Sequence, residues 1–218
     1  MTPSAFAESV IFSGIEASSA TSHAYLGFIT PAPGKRLSEG VYRKFLANST
    51  TYRYPNDERG PQVDIEGKVN GIEAGLGRTW RSSSATADLS ATLGYRDVSL
   101  SPYAPTNDRE GARLTFNPQL MLWSQLSSGI DTDLLANYAT GPASSLVRAR
   151  VGVHPVENYR VGIEGKWLHG RNYMIHKQGV FIAFKFRQSL TLELNAGREH
   201  PESRHEASYA GIAIATTF

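Results

Sequence analysis

Cysteine is absent from the 218-residue chain. Disulfides, thiolate metal sites and a cysteine nucleophile are thereby excluded, and the lack suits a protein that crosses an oxidising compartment before folding. Long apolar runs are missing as well. No stretch approaches the roughly 18 residues that a membrane-crossing helix needs, and the mean hydropathy is -0.31. A membrane β-barrel stays open, because every second residue of a barrel strand faces the lumen and dilutes the apolar face by half. An excess of one charge is lacking too: 22 Lys and Arg stand against 20 Asp and Glu. With no basic block, nucleic acid is not an expected partner.

What is present is alternation. LTLELNA sets Leu190, Leu192 and Leu194 against Thr191, Glu193 and Asn195, and VFIAFKFR sets Val180, Ile182, Phe184 and Phe186 against Phe181, Ala183, Lys185 and Arg187. YRVGIEGKW and LVRARVGVH divide in the same way, with full charges on the polar side. Period two beats the helical template nearly everywhere. Extended segments are expected near residues 9–18, 24–31, 40–54, 62–80, 85–100, 111–126, 131–141, 145–154, 159–170, 175–187, 189–199 and 206–218, separated by turn-rich stretches such as PNDERGP, TNDREG and SSG. About twelve strands is an even number, as a closed antiparallel bacterial barrel requires. The expectation is a single all-β, closed antiparallel transmembrane barrel over residues 8–218. Residues 1–7 contain Ala5, Phe6 and Ala7, an A-x-A pattern that reads as a signal-peptide remnant or as a disordered start. Residues 69–72 are expected to need a bulge or a register change, and Pro118 removes a ladder donor inside a strand.

Aromatic positions sharpen the membrane reading. With the first strand running outward from the periplasm, Trp80, Tyr159, Phe186 and Phe218 fall at periplasmic ends in the outward phase, and Tyr95, Tyr138 and Trp167 fall outward near the opposite rim. Two such rings are the belts expected where a barrel crosses lipid. The chain's last segment, SYAGIAIATTF, is read as the closing strand, which pairs back onto the first and leaves no open edge.

The same parity puts Arg148, Arg150, Arg160, Lys166, Lys185 and Arg187 in the interior with Glu164 and Glu193, while the fourth strand offers Asp64, Glu66, Lys68 and Glu73. Such charges either line a water-filled pore or pair across the interior and fill it. Trp123 shares the inward phase with Gln119 and Gln125, where its ring stacks on a sugar or fills the barrel foot. Catalysis has weak support. Ser203, His205 and Glu206 form the nearest hydrolase-like cluster but lie in a loop without an orienting motif, and His200 with His205 matches no defined metal spacing. No enzyme activity, cofactor or metal is expected.

The order of features, FSGIEASS, then VYRKFLANSTTYRYP before an acidic loop, VDIEGKVNGIEAGLGRTW, LGYRDVSLSPYAP, EGARLTFNPQLMLWSQ and the aromatic end, resembles the cellulose-biosynthesis BcsS family of Gram-negative bacteria. The resemblance lies in strand layout and brings no catalytic motif. It implies an outer-membrane accessory of cellulose secretion, acting as a passive pore or scaffold beside cellulose synthase components or the glucan chain. The alternatives are a general or oligosaccharide-selective porin and, less favoured, an outer-membrane hydrolase. Resemblance to outer-membrane proteins further implies two partners: the lipid itself, and the barrel-assembly machinery, which reads a terminal Phe strand.

Overall fold

The structure, a computed structural model, describes residues 9–35, 37, 40–56, 63–102, 110–141, 143–170, 173–186, 189–202 and 206–218. The expected leader at 1–7 lies outside them. Twelve strands follow in order: β1 Val10–Ser18, β2 Thr21–Pro31, β3 Val41–Asn56, β4 Val63–Arg81, β5 Ala85–Ser101, β6 Gly111–Ser127, β7 Ile130–Thr140, β8 Ala143–Val156, β9 Tyr159–Gly170, β10 Tyr173–Phe186, β11 Leu190–Pro201 and β12 Ala207–Thr217. Each pairs antiparallel with its chain neighbours, and β12 pairs with β1, so the sheet is a closed barrel. Closure reaches the last residue. The backbone N–H of Ser9 donates to the Phe218 carbonyl at 2.8 Å, and that of Phe218 donates to Ser9 at 3.0 Å.

Alternation decides which side faces which medium. Outward side chains are apolar and uncovered: Leu93 is 71% exposed, Leu114 84% and Ile163 63%. In water such a surface would aggregate, whereas in hydrocarbon it is the natural exterior, provided that every backbone donor and acceptor is paired within the ladder. Strands β3 to β6 hold 16, 19, 17 and 17 residues, so this wall rises beyond the others at the end away from the termini. Its inner face there is closed by Ile65, Val98 and Leu100, packed with Val69.

Neither the bulge nor the register change expected at residues 69–72 occurs. Register runs unbroken from Val41↔Arg78 to Asn56↔Val63 and from Glu66↔Ser101 to Arg81↔Thr86. Instead the shifts fall between Gln125 and Ser127 and between Val153 and Val156, beside hairpins at the terminal end, where a bulge disturbs the fewest ladder bonds. Pro118 is tolerated for a local reason. Phe116, of the same parity, turns its N–H toward β7 and reaches only the Thr140 hydroxyl at 2.9 Å, while the β6–β7 ladder begins one residue past the proline, at Gln119↔Asn137. The missing donor thus falls where no β7 backbone waits for it.

Inward aromatics of the first strands lie flat over glycines of the next. A Cβ built on Gly77 would come 2.2 Å from the Tyr42 ring, and one on Gly27 would come 2.1 Å from the Phe12 ring. Gly77→Ala should push Tyr42 off its neighbours and destabilise the barrel by about 1–3 kcal/mol, the usual cost of overpacking. Unfolding of detergent-refolded protein in urea, followed by loss of the unboiled gel shift, measures it.

Candidate functional site

The inner face carries one continuous charge network from β7 round to β2. Near the terminal end, Arg160 donates to Asp131 at 2.5 and 2.8 Å and to Asp133 at 2.8 Å. Arg148 reaches Asp133 at 3.3 Å, and His154 bonds Asp131 at 2.6 Å. At mid-height Arg150 holds Glu193 with two nitrogens, at 2.8 and 2.6 Å, and Glu164 at 2.7 Å. The guanidinium carbons of Arg150 and Arg160 lie 4.6 and 4.8 Å from the centre of the Phe181 ring, a position favoured by the ring's negative faces.

Farther from the termini, Lys166 bridges Glu164 at 2.8 Å to Glu16. Lys177 bridges Glu16 at 3.0 Å to Glu199 at 2.6 Å. Glu199 also accepts Ser18 and Thr21 hydroxyls at 3.1 and 3.2 Å, and the Tyr209 hydroxyl donates to Glu164 at 2.8 Å. Charges and acceptors therefore answer one another nearly throughout.

These bonds are chords. Glu16 is on β1 and Lys166 on β9, with β10, β11 and β12 between them; Arg150 on β8 reaches Glu193 on β11. The opposite wall is tied similarly. Lys44 on β3 donates to Gln119 on β6 at 2.9 Å, Tyr42 donates to Asp88 at 2.5 Å, and Thr92 donates to Glu73 at 2.7 Å. As a result the middle of the barrel is filled: Glu199 is 0% exposed, Glu164 4% and Asn117 2%, and Lys44, Arg150, Lys166 and Lys177 are buried with them. The terminal end differs. Below this plug the inward Met121 and Trp123 are 41% and 37% exposed, and Gln125, His154 and Lys185 are exposed too. At the other end, His23 is the exposed inward residue among the described ones.

The interior positions expected for Arg148, Arg150, Arg160, Glu164, Lys166, Lys185, Glu193 and Glu73 are occupied by those side chains. Glu66 is a correction. With no bulge at 69–72, the parity that turns Glu73 inward turns Glu66 and Lys68 outward, and Glu66 pairs with exposed Arg53 at 2.8 Å. On this tall wall the outer face has risen out of the apolar band, so a charge there no longer marks the lumen. Asp64 lies in β4, but its side chain, like all of Arg187, Ser203 and His205, is outside the described residues. His200 sits on the outer face and bonds Glu206 at 3.0 Å. Among the described residues no group could hold a metal ion.

Missed by the sequence reading were Glu16, Asp131, Asp133, Lys177, Glu199 and Tyr209. Extending the inward parity of Lys185 and Glu193 along their own strands would have found Lys177 and Glu199. Nothing local marks Glu16, whose strand has apolar residues in both phases. The aromatics Trp80, Tyr95, Tyr138, Tyr159, Trp167, Phe186 and Phe218 all stand exposed on the outer face. Phe28 and Phe45 extend the terminal-end ring, with Phe28 stacked on Phe218 at 6.4 Å and on Phe45 at 6.5 Å.

A closed twelve-stranded barrel with an apolar exterior and a polar, charged interior defines the outer-membrane class of β-barrel. Solved structures agree on the fold. The NanC porin matches with a TM-score of 0.55 at 8% identity over 95% of this chain and 98% of that one. The KdgM porin matches with 0.52 at 10% identity over 96% and 99%, and LpxR from Salmonella typhimurium with 0.54 at 11% over 96% and 100%. No curated protein matches in sequence. The profile of the family described as cellulose biosynthesis protein BcsS matches residues 10–218. The chain belongs to that family, which implies a role in cellulose biosynthesis.

The network makes a quantitative contrast. Glu164→Ala would leave Arg150, Lys166 and Tyr209 without their shared partner inside the barrel, and should cost about 3–5 kcal/mol. Arg53→Ala, which breaks an exposed pair, should cost below about 1 kcal/mol. Denaturant midpoints of the two variants in the same detergent compare them directly.

Proposed function

We propose that the protein is a closed scaffold in the bacterial outer membrane that serves cellulose secretion, without catalysis and without passing the glucan through its own lumen. The observation that carries this reading is the plug of mutually paired, buried charges whose bonds run across the barrel from β1 to β9 and from β8 to β11. A conduit for a polysaccharide needs a continuous wet path, and its lining side chains would stay accessible to water. Opening this interior would mean separating several ion pairs at once, each costly to leave half-made in a low-dielectric interior. The family supplies the link to cellulose.

The connections support an orientation. At the end that holds both termini four of the five connections, 82–84, 128–129, 157–158 and 187–189, are two or three residues long and the fifth spans 32–40, whereas at the other end three of the six, 57–62, 102–110 and 202–206, are five residues or longer. Short turns belong on the periplasmic side and long loops outside, so the termini and the exposed Trp123 mouth face the periplasm. There the protein meets the synthase components, and its closing strand β12 meets the assembly machinery. A porin role, favoured by likeness to KdgM and NanC, needs an open path.

Planar-bilayer recordings decide between the two. Purified, refolded protein should insert without resolvable single-channel steps, and steady ohmic steps would overturn the scaffold reading. In the native host, deletion should lower cellulose yield or change fibre morphology, and the plugged wild-type chain should restore both; an unchanged deletion strain would remove the link to cellulose.

A further inference from the structure

The plug leaves one part of the interior accessible, a cup at the terminal end walled by the inward faces of β5 to β10. Along β6 the inward residues change character abruptly. Thr115 and Asn117 are buried in the plug at 3% and 2% exposure, whereas Met121 and Trp123 are 41% and 37% exposed, and Gln125 after them is exposed. A large ring left open to water on the inside of a barrel is not filling space. The Asp131 carboxylate on the neighbouring strand β7 is fixed by Arg160 at 2.5 Å and His154 at 2.6 Å. Among the described residues no other ring stacks on it. Around it stand neutral and paired polar groups: Thr86 and Asp133 opposite it in the two ladders, Gln125 two residues along, and His154 at the rim.

An open aromatic face beside amide, hydroxyl and imidazole groups matches the chemistry of a pyranose ring. In a β-linked glucan every ring hydroxyl is equatorial. Each sugar therefore presents two flat faces of axial C–H groups to the negative face of an aromatic, while its edges carry the hydroxyls that side chains such as Gln125 and His154 can bond. Asp131, Asp133, Arg148 and Arg160 are consumed by one another, and Lys185 on β10 is the exposed cation of the inner face at this end among the described residues. From this geometry we infer that the cup is a binding site for a β-linked glucan segment, with Trp123 as its stacking platform and the plug as its floor. The choice of glucan rests on the cellulose reading above. The cup holds a chain that arrives from the periplasm and does not conduct it onward.

Full-length refolded protein in detergent provides the test, with cellohexaose as probe and maltohexaose, whose α-linkages curl the chain, as control. Isothermal titration should show cellohexaose binding at least about tenfold tighter than maltohexaose. Trp123→Ala should weaken it about tenfold or more, while Trp123→Phe keeps most of the affinity and Trp167→Ala, on the outer face, changes nothing. A double variant, Trp80→Phe with Trp167→Phe, leaves Trp123 as the sole tryptophan; its emission should shift on saturation with cellohexaose and stay unchanged with maltohexaose. That readout needs no change inside the cup, so it stands even if Trp123→Ala fails to fold. Absence of any emission change with cellohexaose, or wild-type affinity in folded Trp123→Ala, overturns the inference. If the host deletion lowers cellulose yet the pure protein ignores cellohexaose, the cup inference fails and the scaffold reading survives. An unaffected deletion strain overturns that reading instead.

Discussion

Closure of the backbone ladder is the constraint on which everything else in this molecule rests. Hydrocarbon offers no partner to an unpaired N–H or C=O, so a spanning sheet must have no edge. Here the seam is completed by β12 against β1 down to the reciprocal bonds between Ser9 and Phe218. Once the sheet is closed, the pleat divides every strand into an outward and an inward set, and the outward set is free to be apolar because lipid is its solvent. The hydrophobic effect, which drives the core of a water-soluble domain, has little to act on inside this barrel. The apolar surface is outside, and the interior must be held by other means.

Those means are electrostatic and hydrogen-bonded. Glu16, Glu164 and Glu199 each accept from two or more donors on other strands, so no carboxylate depends on one partner. Charge pairs of this kind are weak sources of net stability when compared with apolar packing. Their consequence is specificity. A chord such as Glu16 to Lys166 can form only if β1 closes onto β12 in the right register, because a one-residue slip would turn Glu16 toward lipid. The network thus ties the seam to the far wall, and it does so by occupying the space a solute would need. Filling and fixing are the same act, which is why a barrel with this interior reads as a scaffold with a cup and not as a tunnel.

Much of this was legible from the chain. Alternation marked the strands, the parity of Arg150, Arg160, Lys166 and Glu193 marked the inner face, and the outward aromatics marked two levels of the exterior. The failures are instructive because they are local. Glu66 misled, since parity alone does not say where a long strand leaves the apolar band; β4 stays regular through residues 69–72, and its charges near the top simply face water outside. Glu16 was hidden by a strand with apolar residues in both phases. Its role appears only when Lys166 and Lys177, each more than 140 positions away, are brought against it.

By itself, then, the sequence determined the period-two pattern, the number of strands and the face on which most side chains lie, because a pleated strand assigns faces two residues at a time with no knowledge of its neighbours. Which charges meet, whether they leave a path, and that Trp123 stays open below the plug were decided only by the tertiary structure. Those outcomes depend on the curvature and closure of the sheet, which set how far apart the inner walls stand and so whether an arginine on one strand can reach a glutamate three strands away.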